Sequence, residues 1–160
     1  MSKIVLLSCT KSKLDHSSPA QDLYSASPMF KKTLEYGKSL NPNKMFILSA
    51  KHHLVPLDKK LDPYDATLKD MGKDAKDKWG EVVLQQMKTN GLDVNKDQFI
   101  FLTGSEYMKP LLKYIPENNI QNPMEGKRMG ERLQWLNSQI KNIKEIFTKI
   151  KNLIYEIITK

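Results

Sequence analysis

Three short apolar runs in this chain each open into a polar loop carrying reactive side chains. Lys3-Ile4-Val5-Leu6-Leu7 leads into Ser8-Cys9-Thr10-Lys11-Ser12-Lys13, Met45-Phe46-Ile47-Leu48 into Ser49-Ala50-Lys51-His52-His53, and Gln98-Phe99-Ile100-Phe101-Leu102 into Thr103-Gly104-Ser105. Cys9, with Lys11 and Lys13 close behind, suits a nucleophile, because nearby cations favour the thiolate. Small buried cysteines at strand ends more often serve packing, so both readings stay open. The two lysines carry the right charge to hold phosphate. Histidine can shuttle a proton or donate to a developing anion near neutral pH. One of the adjacent pair, His52 by its place after Lys51, is expected to face a site and the other to be structural. Asp62-Pro63-Tyr64-Asp65 sets two carboxylates and a ring on an arc stiffened by Pro63. Either carboxylate could activate water while Tyr64 stacks a base. Tyr24 is a further candidate wall. Gly130, at the start of a helical stretch, frees backbone N–H groups for an anion.

The elements needed to position these loops follow from periodicity. The three apolar runs predict strands near residues 3–8, 44–49 and 98–103. Ser27-Pro28 predicts a helix start that Asn41-Pro42 ends, a second helix spans about Asp74 to Thr89 before Asn90-Gly91, and a short one follows Ser105 to about Tyr114. Residues 53–68 show no period and read as a long loop, and 119–124 as a weak fourth strand. Strand and helix in alternation give an α/β sandwich with a mainly parallel sheet. Ligands in such sheets bind beyond the carboxyl ends of the strands, so the loops predict one composite site.

The C-terminal stretch departs from this pattern. From Glu131 onward apolar residues fall at Leu133, Leu136, Ile140, Ile143, Phe147, Ile150, Ile154 and Ile157, in steps of three and four. Some 28 residues of helix would run about 42 Å, more than a small domain can cover. The first half is expected to pack on the sheet, and the last two turns across a two-fold axis or onto a partner. The organisation is thus an α/β domain over 1–137 with an amphipathic helix continuing over 138–160.

Composition narrows the function. The chain has 160 residues and a net charge of +8. Residues 1–60 hold ten Lys against four acids, a balance of +6 where the first two loops lie. Positive charge there attracts polyanions, which points to DNA or a nucleotide. No run reaches the roughly 20 apolar residues of a membrane span, so no membrane partner is expected. A single cysteine excludes an internal disulfide and suits the cytoplasm. Three histidines and one cysteine argue against a zinc site, and no glycine fingerprint or P-loop follows a strand, so neither metal nor cofactor is expected.

The blocks Ser8-Cys9-Thr10-Lys11-Ser12-Lys13, Asp22-Leu23-Tyr24, Ile47-Leu48-Ser49-Ala50-Lys51-His52, Pro63-Tyr64-Asp65-Ala66-Thr67-Leu68 and Gly130-Glu131-Arg132-Leu133-Gln134-Trp135-Leu136 resemble a little-characterised family of small bacterial, archaeal and phage proteins. The resemblance covers about residues 1–137. That family is distantly similar to the C-terminal catalytic region of archaeosine synthase, through a Cys-x-x-Lys-like turn and the stretch Ser49 to Pro56. Both resemble the uracil-DNA glycosylase fold, an α/β sandwich with a four-stranded parallel sheet. The glycosylase water-activating motif follows strand one, whereas Asp62-Pro63-Tyr64-Asp65 follows strand two. The His-containing second motif gives way to Thr103-Gly104-Ser105. The resemblance implies a DNA glycosylase-like hydrolase acting on a modified or non-standard base, as in hypermodified phage DNA, with a role in phage defence. His52 would stabilise the departing base and Asp65 or Asp62 orient water. Ser8, Lys11, Lys13, Tyr24, Lys51, Tyr64, Gly104 and Ser105 would line the substrate. Two alternatives stay open: a deazaguanine-type transferase using Cys9, and a non-catalytic nucleotide- or DNA-binding module whose helix recruits a partner.

Overall fold

Ile4, Val5, Leu6 and Leu7 offer apolar side chains to both faces of a strand, which only the middle of a covered sheet can accommodate. In the computed structural model, which describes residues 1–160, all four are fully buried. The chain runs β1 (Lys3–Ser8), β2 (Ser18–Pro19), α1 (Ala20–Leu23), α2 (Pro28–Ser39), β3 (Lys44–Ser49), β4 (His53–Pro56) and β5 (Lys60–Leu61). It continues through α3 (Lys73–Thr89), β6 (Gln98–Leu102), α4 (Ser105–Met108), β7 (Ile120–Gln121) and α5 (Met129–Thr159). The central sheet has the order β4-β3-β1-β6-β7, with β3, β1, β6 and β7 parallel and β4 antiparallel at one edge. In register, Leu7 stands between Ile47 and Leu102. The fold is mixed α/β with a mostly parallel five-stranded sheet, helices around it and a long C-terminal helix.

The chain steps from β1 out to β3, then crosses back to β6 on the other side, so the direction of winding reverses beside β1. Such a reversal opens a crevice at the carboxyl ends of the two strands, here β1 and β6. Right-handed crossovers place α2 and α3 on opposite faces. Gly37 lets α2 approach closely, since a Cβ there would stand 3.1 Å from Val5 Cγ1 and 3.4 Å from Leu102 Cδ1. Ser27 caps α2 by accepting from the Phe30 N–H at 3.2 Å, and Pro28 fills its first position. α3 buries Trp79, Val83 and Met87, one face at four-residue spacing.

Three details differ from the sequence reading. Residues 53–68 are not a bare loop: β4 folds back on β3, and β5 pairs with β2 in a small separate sheet. Elements of four and two residues are too short to display a period. The helix after Ser105 stops at Met108 and tightens into a 3-10 turn over Lys109–Leu111, because Pro110 has no N–H to continue the ladder. The first half of α5 packs on α2 and not on the sheet, with Tyr36 edge-on to Trp135 at 5.0 Å and Leu136 and Ile140 buried. α2 already occupies that face of the sheet.

Candidate active site at the strand carboxyl ends

β1, β3 and β6 deliver Cys9, Ser49 and Thr103 to one edge, each buried. The Cys9 N–H donates to the Leu48 carbonyl at 2.9 Å, fixing the first residue beyond β1 against β3. Its thiol lies 3.2 Å from the Tyr107 hydroxyl, which α4 brings in after β6. On the β6 side the Gly104 N–H donates to Ser8 Oγ at 3.4 Å. Cys9 and Ser8 therefore stand at the crevice that the winding reversal predicts.

Ser49, fully buried, is the hub of the cluster. Its hydroxyl accepts from the His52 N–H at 2.9 Å and bonds the Tyr64 hydroxyl at 2.7 Å. Tyr64 in turn bonds the hydroxyl of fully buried Tyr24 at 2.6 Å. The Ser49 carbonyl accepts from Trp79 Nε1 at 2.9 Å. One serine thus ties β3 to α3, to the following turn and to the segment after β5.

The turn from β3 to β4 separates the two histidines. Ser49 pairs with His53, leaving Ala50, Lys51 and His52 as a three-residue loop. His53 closes it in the left-handed region at φ 64°, a geometry such loops use and histidine tolerates better than most residues. His52 therefore turns edge-on to Tyr64 with centroids 5.2 Å apart, while His53 stacks on Trp79 at 6.3 Å. Burial lowers the pKa of His52, and the charges of Lys51, Lys59 and His53 lower it further. Burial also lowers that of His53. Both imidazoles are neutral near pH 7 and can each donate one N–H.

Cations close the mouth. Lys13 Nζ lies 4.4 Å from the Tyr64 ring centroid and 5.9 Å from that of Tyr24, and Lys51 Nζ 5.9 Å from that of Tyr64. Lys13 also donates to the carbonyls of Thr10 and Lys11. Burial lowers its pKa, while the charges of Cys9 and Asp65 act to raise it. Burial pushes the Tyr24 hydroxyl up to about 12, and burial with the Cys9 charge raises Tyr64 and Tyr107. The phenols stay protonated; the Tyr107 hydroxyl accepts from the thiol, and those of Tyr24 and Tyr64 bond one another and Ser49.

The sequence candidates thus divide. Cys9, Tyr24, Tyr64, His52, Lys13 and Lys51 converge, with Ser8 and Gly104 at the β1–β6 crevice. Asp65 is exposed and reaches the cluster through its charge on Lys13. Lys11, Asp62 and Ser105 stand exposed on the surface, with no side-chain hydrogen bond to the cluster. Ser49, Tyr107 and Trp79 were missed as site residues. Ser49 shared the place directly after a strand that singled out Ser8, but Tyr107 and Trp79 sit in helices, where aromatic residues read as core. No three His, Cys, Asp or Glu side chains are placed to hold a metal ion. Volume and chemistry part company: one hollow of about 550 Å³ lies between α2 and α5, and another of about 300 Å³ between Lys73, Lys76 and Lys109. We place the site at the strand ends, because the polar and aromatic groups converge there.

The model for the Family of unknown function (DUF6884) matches residues 4–138. The chain belongs to this family. No curated protein and no solved structure matches it. The span matched to DUF6884 holds every strand but the first residue of β1, and every residue of the cluster, and it ends within α5 ahead of Ile140. No helix is long and apolar enough to cross a membrane.

Proposed function

We propose that this DUF6884 protein is a DNA glycosylase-like hydrolase that removes a modified or non-standard base from DNA. The observation that carries the reading is the mouth of the cluster: an aromatic ring, Tyr64, flanked by Lys13, Lys51 and a neutral His52 at the carboxyl end of β3, next to the β1 loop that holds Cys9. A base drawn out of the duplex needs a ring to stack on, and the backbone that follows it needs cations. Four parallel strands within the sheet agree with the resemblance to the uracil-DNA glycosylase fold and to the archaeosine synthase catalytic region.

The reaction asks little of the protein. Water oxygen bonds to the sugar C1′ as the C1′–N bond breaks, and the bonding pair leaves on the base nitrogen. Asp65 accepts the water proton, and the His52 N–H stabilises the departing anion, leaving a free base and an abasic sugar. A second reading rests on Cys9, whose thiol is bonded to the Tyr107 hydroxyl at 3.2 Å and whose charge is felt by Lys13, Tyr24 and Tyr64. There it would act as the nucleophile of a base-modifying transferase.

The test is incubation of the full chain with hypermodified phage DNA, reading free base by mass spectrometry and abasic sites by alkaline cleavage. Base release that falls at least a hundredfold in His52→Gln and survives in Cys9→Ser supports the hydrolase. Loss of all activity in Cys9→Ser, with base exchange in place of release, supports the transferase. Strand breakage without free base would overturn both.

A further inference from the structure

α5 outruns the domain that carries it. Tyr36 meets Trp135, Glu35 pairs with Lys144 at 3.6 Å, and Lys32 lines one hollow with residues up to Lys149. The two helices therefore run in opposite directions, and α2 begins at Pro28. Beyond about residue 149 no α2 lies alongside, and the remaining turns project roughly 15 Å. Ile146, Phe147, Ile150, Leu153, Ile154, Tyr155, Ile157 and Ile158 are 47 to 76% exposed. At side-chain areas on the order of 150–200 Å², they present roughly 800 Å² of largely apolar surface. That is more than monomers usually show and about one partner's share of a stable interface.

We propose that this overhang is a homodimerisation element in which two copies pack their stripes antiparallel about a two-fold axis. The stripe is the direct continuation, in steps of three and four, of Leu136 and Ile140, which are buried against α2. It faces the same side as the domain body. A flat bilayer laid against the overhang would have to cut through α2, so a lipid surface does not fit. A parallel partner would place its own first half where α2 stands. An antiparallel copy fits the notch: each projecting end lies along the other and points at the start of the partner's α2, an isologous contact. Lys144 and Lys151 flank the stripe on one edge, and Lys149 and Lys160 on the other with Glu156 beside them, so the rim is net positive. Like charges at the rim make pairing tighten as salt rises, the reverse of what an anionic lipid would do.

Sedimentation of the full chain over micromolar concentrations, at low and high salt, reads the mass directly. The expected species is twice 18.5 kDa, strengthened by salt. Ile150→Glu with Ile154→Glu should raise the dimer dissociation constant on the order of a thousandfold and leave a folded monomer. In a Cys9→Ser background, spin labels at Asn152→Cys, level with the axis on the outer faces of the two helices, should lie roughly 20–25 Å apart and labels at Asn137→Cys roughly 45 Å apart. A wild-type monomer at the highest concentration overturns the proposal, as does binding to phosphatidylglycerol vesicles in place of pairing. Asn137 labels as close as those at Asn152 would overturn the antiparallel arrangement.

Discussion

The chain Tyr24–Tyr64–Ser49 makes a quantitative claim about polar satisfaction. Tyr64→Phe removes the middle hydroxyl, which bonds Tyr24 at 2.6 Å and Ser49 at 2.7 Å. Tyr24 is fully buried and Tyr64 is its hydroxyl's near partner, so the variant leaves that hydroxyl with only the weaker reach to Ser49. A buried unpaired group costs about 1–3 kcal/mol, whereas a lost bond between satisfied groups costs about 0.5–1.5 kcal/mol. Ser49 keeps the His52 N–H, so the expected loss for Tyr64→Phe is about 2–3 kcal/mol. Tyr24→Phe removes only the end of the chain and should cost about 1 kcal/mol. With Tyr24 already Phe, the Tyr64 change should also cost about 1 kcal/mol, leaving a coupling on the order of 1 kcal/mol. Urea unfolding followed by fluorescence of Trp79 and Trp135 measures each corner of the cycle. The slope against denaturant should stay constant. Single losses that simply add, or a Tyr64→Phe no weaker than Tyr24→Phe, would refute the buried relay.

Two further outcomes concern stability. Because His52 and His53 are held below their ordinary pKa, the folded state stays neutral while the unfolded chain takes up protons as pH falls through about 6.5. Stability should be full above that pH and decline below it by up to about 1.4 kcal/mol per pH unit for each proton. Melting across pH 5 to 8 should show this slope, and a double His→Gln variant should be flatter. Gly80→Ala should cost about 1–3 kcal/mol, because a Cβ there would stand 2.7 Å from the Pro110 carbonyl oxygen, backbone that cannot step aside. A melting point within 1 °C of wild type, on a scale of about 2–4 °C per kcal/mol, would show that α3 can shift.

Long elements leave long signals. β1, β3 and β6 are continuous apolar runs, and α2, α3 and α5 carry helical stripes with recognisable ends, so their places could be read directly. β7 falls inside the weak strand read over 119–124, whereas four residues of β4 and two each of β2 and β5 are held by pairing, and pairing partners leave no local pattern. That Tyr24 and Tyr64 wall one pocket was legible, but their hydroxyl relay through Ser49 was not, because it depends on where three separate segments meet. The split between His52 and His53 was expected, but the left-handed residue that produces it is one sequence does not announce when it is not glycine. Asp62 and Asp65 sit on an exposed arc because Tyr64 between them turns inward to Ser49.

Both margins of the central sheet are blunt. β4 is four residues long and ends at Pro56, which has no N–H to offer, and β7 is two residues long. An exposed strand edge is a template on which a further chain can add, and short edges with proline remove it. Growth of this protein by strand addition, whether into ordered oligomers or into aggregates, is therefore closed at each side. Mutations that lengthen β7 or replace Pro56 would reopen that route and make the protein prone to fibres, while changes confined to α5 would not.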